Sequence, residues 1–107
     1  CVVQPDILVI CDRENIDASG NYHGVPALVV EVMSPSTSRK DLSAKLELYI
    51  ACGVKEYWVV DPKNRTVAVY AIGEGDIADY TVYSKDDEAR SSVFEGLSVP
   101  LAELFET

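Results

Sequence analysis

Ala27-Leu28-Val29-Val30-Glu31-Val32-Met33 is the stretch that decides the fold of this 107-residue chain. Its apolar side chains predict a strand that is buried on both faces of a sheet. Glu31 is the exception within the run. A carboxylate is costly to ionise in such surroundings without a partner or a metal ion, so the sequence marks Glu31 as a candidate functional residue.

The segments on either side of this strand predict a strand and a helix. Val2–Cys11 has the composition of a first strand, and a polar, glycine-containing loop separates it from Ala27. Downstream, Arg39–Ala51 is predicted to be a helix. Ser38 and Asp41 have the spacing of a capping box at its start, and Gly53 is placed to end it.

The rest of the chain predicts more strands. Glu56–Asp61 is strongly apolar, a proline-containing turn follows it, and Thr66–Ile72 returns as the next strand. Residues 73–76 are expected to form a loop and Asp79–Ser84 an edge strand, and a short helix is predicted over Pro100–Phe105. We predict an α/β fold with a mixed, α+β-like sheet and one crossover helix, in a single domain. Its core is residues 2–72, and a C-terminal hairpin and short helix occupy residues 73–107.

A lysine interrupts the apolar face of the predicted helix. The core-facing positions, by their spacing, are Leu42, Leu46, Tyr49 and Ile50. Lys45 lies within that stripe, and a crossover helix packs its stripe on the sheet. The sequence therefore directs Lys45 towards the strand that carries Glu31.

Two acidic residues and this lysine suggest hydrolysis assisted by a divalent metal ion. Asp6 stands at the start of the apolar run in the first strand. Asp6, Glu31 and the backbone carbonyl of Val32 are oxygen ligands of the kind that Mg²⁺ or Mn²⁺ takes, with positions left for water and a phosphate oxygen. Lys45 is then predicted to orient or help deprotonate the attacking water.

Composition sets the remaining limits. The net charge is −9, but residues 39–65 carry six basic and four acidic side chains, whereas residues 66–107 carry two and nine. A basic strip around the candidate site is compatible with a phosphate substrate. Three cysteines without C-x-x-C spacing favour a reduced, cytoplasmic protein and not a zinc site. No apolar run approaches the length of a membrane span.

The same residues resemble those of a known group of enzymes. Pro5-Asp6 and Glu31 resemble the motif of the PD-(D/E)XK phosphodiesterase superfamily, although Met33 stands where that motif has its lysine. The chain is more closely similar to the Uma family of putative restriction endonucleases. The segments that carry this similarity lie between Val2 and Tyr70: Gln4–Ile7, Glu31–Thr37, Asp41, Lys45 and Tyr49 spaced by fours, Gly53-Val54, and Glu56–Pro62.

The resemblance implies a restriction-endonuclease-like fold and a Mg²⁺-dependent endonuclease from a bacterium, with nucleic acid, chiefly DNA, as the substrate. In the Uma family the lysine lies on the helix, which fits Lys45. Family members carry a further N-terminal segment, so we expect this chain, which starts at Cys1, to be a fragment. An enzyme that cuts both strands of a duplex can use one active site for each strand, so this interpretation includes a homodimer.

Several alternatives stay open at this stage. Glu31 and Lys45 could form a buried ion pair without catalysis. Asp41 suits a capping box as well as a site, and Tyr49 suits the core or a hydrogen bond to a neighbour. The alternative function is a non-catalytic nucleic-acid-binding or protein-interaction domain on the same fold, which the net charge of −9 favours.

Overall fold

The computed structural model describes residues 7–9, 14, 16–20, 24–36 and 39–105. Within them the elements follow in the order β1 (Ile7–Val9), β2 (Leu28–Val32), α1 (Arg39–Cys52), β3 (Glu56–Asp61), β4 (Thr66–Gly73), β5 (Asp76–Ser84), β6 (Glu88–Arg90), β7 (Ser98–Pro100) and α2 (Leu101–Leu104). The predicted strand at Val2–Cys11 is seen as β1, and its other residues lie outside the described ranges. Ser38 of the predicted capping box lies outside them as well.

The main sheet has the strand order β1-β2-β3-β4-β5. β2 and β3 are parallel, whereas the other three neighbouring pairs are antiparallel. Parallel neighbours need a crossover connection, and α1 supplies it. The predicted mixed sheet with one crossover helix is therefore confirmed.

Alternation along the central strands gives each face of the sheet its own core. On one face, Val29 and Tyr57 pack with Tyr49 of α1. On the other face, Leu28 and Trp58 pack with residues of β6 and α2. The sheet is thus the middle layer of three, and a side chain's place in β2 decides which layer it meets.

The helix α1 ends as its sequence predicts. Gly53 has a φ of 89°, in the left-handed region that favours glycine. Its N–H donates to the carbonyl of Ile50 at 3.2 Å, and the N–H of Val54 donates to that of Tyr49 at 3.1 Å. These two bonds form a Schellman motif, which turns the chain sharply into β3.

The C-terminal third differs from the prediction in two respects. β5 begins at Asp76, because Glu74 and Gly75, both with positive φ, form a two-residue hairpin turn between Gly73 and Asp76. β6 and β7 form a second, two-stranded antiparallel sheet; the sequence predicted a hairpin within residues 73–107 but not these two strands. The short terminal helix is confirmed as α2 (Leu101–Leu104).

Cys52, the last residue of α1, is disulfide-bonded. The expectation of a free thiol at this position is therefore wrong, and the partner lies outside the described residues. In the part of the chain described here, no helix has the length and apolar character needed to cross a membrane.

Candidate active site

The candidate site is built around Glu31, the fourth residue of β2. Alternation along the strand places it on the same face as Val29, which is the face that α1 covers. Glu31 is only 4% exposed. A carboxylate this deep needs donors within reach, and the structure provides two from the helix.

Both donors belong to α1 and lie one turn apart. Lys45 Nζ donates to Glu31 Oε2 at 2.9 Å, and Tyr49 Oη donates to Glu31 Oε1 at 2.5 Å. Residues spaced by four lie on one side of a helix, so the pair reaches the strand together. The predicted orientation of Lys45 towards Glu31 is confirmed. Tyr49 has both of the roles that the sequence offered for it, because it is buried in the core and bonds Glu31.

The two side chains of the ion pair differ greatly in their exposure to solvent. The side chain of Glu31 is 5% exposed, whereas that of Lys45 is 43% exposed. Lys45 therefore bridges solvent and a buried carboxylate. An ammonium has three N–H donors, and one of them bonds Glu31. A carboxylate has about four lone-pair sites, so two donors leave capacity for further ligands.

A cavity of about 530 Å³ opens at this end of β2. Its lining consists of Glu31, Val32, Ser34, Ser36, Asp41, Leu42, Ala44 and Lys45. The carboxylate and the ammonium thus face a space that another molecule can enter. Asp41, which the sequence assigned to either a cap or a site, lies in this lining, and so does Val32, whose carbonyl was predicted to be a metal ligand.

Asp6, the other predicted ligand, lies outside the described residues. Its neighbour in sequence, Ile7, is the register partner of Val30, the neighbour of Glu31. Among the residues that are described, no group of three or more His, Cys, Asp or Glu side chains could hold a metal ion. Mg²⁺ commonly takes only one or two protein carboxylates and fills its shell with water and phosphate oxygens. The donor set around Glu31 fits such an ion if one further carboxylate joins it.

Tyr57 lies beside the site but has no role as a base. Burial raises its pKa well above the ordinary value, and the Glu31 carboxylate and Tyr70 raise it further. Its hydroxyl is buried and has no hydrogen-bond partner among the described residues. Tyr57 therefore stays protonated and packs as an aromatic ring between Tyr49 and Tyr70.

Sequence reasoning missed the role of a second buried carboxylate, Glu56. It is fully buried at the start of β3 and accepts hydrogen bonds from Ser91 Oγ at 2.6 Å and from the N–H groups of Ser92 and Val93 at 3.1 and 3.3 Å. It precedes Tyr57, so its side chain lies on the face opposite Glu31. Glu56 anchors a loop and is not part of the candidate site. Its position at the start of an apolar strand was the only signal.

Comparison with known proteins agrees with this architecture. A search of curated proteins gives no match. The chain is similar to a crystal structure described as a putative nuclease belonging to DUF820 from Anabaena variabilis ATCC 29413, with a TM-score of 0.74 and 22% identity over 96% of this chain. The match spans 59% of that protein's chain, and it establishes a restriction-endonuclease-like fold. Residues 1–102 match the model of a family described as "Putative restriction endonuclease", and the chain belongs to this family, Uma2.

Proposed function

We propose that the protein hydrolyses phosphodiester bonds in nucleic acid with the help of a divalent metal ion, and that it cuts DNA internally. Family and fold make a nuclease the starting point. The observation that carries the proposal is Glu31: a buried carboxylate with an ammonium at 2.9 Å, at the wall of an open cavity. A purely structural ion pair has no need of a cavity in front of it.

In this proposal Glu31 and Asp6 hold Mg²⁺ or Mn²⁺, with the carbonyl of Val32 as a third ligand. The ion, when bound, supplies positive charge to the phosphate and lowers the pKa of a bound water. The pairing of Ile7 with Val30 supports the participation of Asp6. Tyr49 holds Glu31 Oε1 and thereby fixes the direction in which the carboxylate faces.

Lys45 acts on the reacting groups rather than on the metal ion. One N–H bonds Glu31 Oε2, and the remaining two are available to orient the attacking water and to stabilise charge on a phosphate oxygen. Its half-exposed side chain lets the ammonium move between these partners without a change in the helix. Lys45 thus takes the role for which the strand position, Met33, has no suitable group.

The test compares Lys45→Met with the parent in metal-dependent DNA cleavage. Lys45→Met keeps the stem and removes the charge, so cleavage should fall by about 10² to 10⁴-fold. Mn²⁺ binding, measured by calorimetry, should stay unchanged in Lys45→Met and weaken in Glu31→Gln. Lys55→Met, at the exposed residue just before β3, is the matched control and should cleave at the parent rate. Equal cleavage by Lys45→Met would contradict the catalytic role.

A second candidate is a non-catalytic nucleic-acid-binding or protein-interaction domain. The close contact between Lys45 and Glu31 favours it, because an ammonium on Oε2 occupies one place where a metal ion would bind. A parent protein that binds DNA or RNA but cleaves neither with Mg²⁺ or Mn²⁺ would support this alternative. The proposal also includes a single domain over residues 1–107, a homodimer and a bacterial origin. The disulfide at Cys52 counts against the cytoplasmic location that the cysteine spacing favoured.

A further inference from the structure

Basic side chains collect at one edge of the main sheet. This is the edge where the parallel strands β2 and β3 end, next to Glu31. The turn after β3 and the turn after β5 lie at the same edge, because Thr66 pairs with both Asp61 and Ser84. The start of α1 lies there too, since Arg39 lines a cavity together with Asp61 and Thr66.

Six of the eight lysines and arginines in the described ranges lie at this edge or contact Glu31. Lys45 is the one that contacts Glu31. The other five form what we call the basic edge: Arg39, Lys40, Lys63, Arg65 and Lys85. All five are exposed, and none forms an ion pair with another described residue.

Most acidic groups at this edge are engaged by the protein itself. Asp61 accepts hydrogen bonds from the N–H groups of Lys63 and Asn64 within its own turn. Asp87 accepts one from the N–H of Ser84, and Glu31 is held by α1. Asp41 is engaged as well, and Asp86 is the other carboxylate nearby. Hydrogen bonds from neutral N–H groups leave the carboxylate charges in place. With Lys45 this edge therefore carries six cations against five carboxylates, whereas the rest of the described chain carries two cations against ten carboxylates.

Two of these cations stand side by side on neighbouring turns. Arg65 follows β3 and precedes β4, Lys85 follows β5, and both line a cavity of about 570 Å³. Its other lining residues are Asn64, Ser84 and Asp86, and Leu101, Ala102 and Phe105 from the C-terminal layer. Each has a φ of 54°, in the left-handed region where glycine or asparagine is the usual occupant. Long basic side chains thus occupy positions that small residues fill at lower conformational cost.

The opposite edge has the reverse charge. The hairpin between β4 and β5 carries Glu74, Asp76 and Asp79, and Lys55 lies near that end. In a chain of net charge −9, a polyanion is repelled by most of the surface and attracted to one edge. This separation orients a polyanion towards the end of the molecule that holds Glu31.

We propose that the basic edge binds the phosphate backbone of the nucleic acid, with Arg65 and Lys85 as a pair of phosphate contacts at a distance from Glu31. This inference rests on the proposed function and names the residues that hold the substrate. Contacts to phosphates position a strand without reading its sequence. The basic edge therefore holds the backbone at the end of the sheet where Glu31 lies, with Arg65 and Lys85 towards the C-terminal layer and Glu31 on the face of α1, and it contributes no base specificity.

The test is DNA binding in EDTA, where no metal-dependent cleavage occurs. Fluorescence anisotropy with a labelled duplex compares the parent with the triple variant Lys63→Gln, Arg65→Gln, Lys85→Gln over a series of salt concentrations. Each lost phosphate contact lowers the slope of log K against log salt by about 0.9, so the triple variant should lose about 2 to 3 in slope. At low salt its affinity should fall at least tenfold.

The control is the double variant Lys55→Gln, Arg90→Gln, which removes cations outside the basic edge and should bind as the parent does. Unfolding in urea confirms that each variant is folded. Parent-like affinity and slope in the triple variant would overturn the inference. Displacement of the DNA by poly-glutamate at equal charge concentration would also overturn it, by assigning the edge to an acidic protein.

These outcomes separate the inference from the proposed nuclease activity. If the parent cleaves DNA and the triple variant binds like the parent, the basic edge is wrong and the nuclease stands. If the triple variant loses binding and the parent never cleaves, the basic edge stands and the nuclease is wrong.

Discussion

At the scale of single residues, the Glu31–Lys45 pair is asymmetric. The side chain of Glu31 is almost wholly buried and meets solvent only at the cavity wall, whereas Lys45 can turn its half-exposed side chain outward. Removing Lys45 and removing Glu31 therefore have different consequences for the residue that is left. Removing the lysine leaves a buried carboxylate with one hydrogen bond, from Tyr49. Removing the carboxylate leaves an ammonium that solvent can take up.

This asymmetry predicts unequal costs in the free energy of unfolding. Lys45→Met should cost about 2 to 3 kcal/mol, below the roughly 3 to 5 kcal/mol of a fully buried pair, because Lys45 is only half buried. Glu31→Gln should cost about 1 kcal/mol. The double variant should cost less than the sum of the two by about 1 to 2 kcal/mol. Urea unfolding measures all three, with exposed Lys40→Met as control; simple additivity would contradict the coupling.

At the scale of elements, a row of tyrosines joins α1 to the far edge of the sheet. Tyr57, Tyr70 and Tyr80 occupy matching positions on β3, β4 and β5, and Tyr49 of α1 stands over the first of them. Successive ring centroids lie 5.2, 5.7 and 4.6 Å apart along the row from Tyr49 to Tyr80. Such contacts fix the helix laterally on the sheet and so help hold Lys45 over Glu31.

The row predicts a loss of stability at alkaline pH. Burial raises the pKa of both Tyr57 and Tyr70, so they keep their protons in the fold when tyrosines of the unfolded chain lose theirs, above about pH 10. The stability they contribute is therefore complete below about pH 10 and falls above it, by up to about 1.4 kcal/mol per pH unit for Tyr57 and by less for the more exposed Tyr70.

Tyr57→Phe tests this dependence. The substitution removes a buried hydroxyl without a described partner, so at pH 7 the free energy of unfolding should be unchanged or raised by up to about 1 kcal/mol. From pH 10 to 11 the variant should lose less stability than the parent. Urea unfolding at pH 7, 9, 10 and 11 measures both effects. A parent-like fall in Tyr57→Phe would show that another group causes it.

The long, strongly patterned elements were predictable from sequence. The bounds of β3 match the prediction at both ends, and α1 extends beyond it by only one residue. The strands β6 and β7 could not be predicted from sequence, because three residues are too few to show the alternation of a strand. Ala89 is the single buried residue in β6. The start of β5 was missed because Gly73–Asp76 lacks the Asn-Gly pair that usually marks a two-residue turn.

Part of the candidate site could also be predicted from local sequence patterns. A carboxylate in an apolar strand and a lysine in an apolar stripe each break a local pattern, so the sequence alone brought Glu31 and Lys45 together. Tyr49 breaks no pattern, and its bond to Glu31 depends on the distance between helix and strand. Glu56 was missed because its partner, Ser91, is 35 residues away and belongs to a loop without a regular pattern.

At the scale of the whole molecule, Glu56 is the polar connection between the main sheet and the C-terminal layer. It lies in β3, whereas its three donors belong to the loop between β6 and β7. Ala89 and Leu101, on either side of that loop, are buried in the core on this face. The apolar contacts pull the C-terminal layer onto the sheet, and the carboxylate fixes how the loop is seated.

Glu56→Gln should loosen this layer and leave the candidate site intact. A glutamine has one acceptor oxygen and an amide group that donates, so at least one of the three donors loses its partner. The cost should be about 1 to 3 kcal/mol in the free energy of unfolding. Because α1 and Glu31 lie on the opposite face, amide hydrogen exchange should accelerate in residues 88–105 more than in β2 or α1.

The matched control is Glu88→Gln, on the neighbouring strand β6. Glu88 is exposed and accepts a hydrogen bond from Ser98 Oγ, so the change removes the same charge outside the core and should cost no more than about 0.5 kcal/mol. Exchange that accelerates equally across the main sheet and residues 88–105 would contradict a local anchor. Acceleration confined to the C-terminal layer, with parent-like metal binding, would mean that this layer can loosen without disturbing Glu31, because the sheet between them insulates one face from the other.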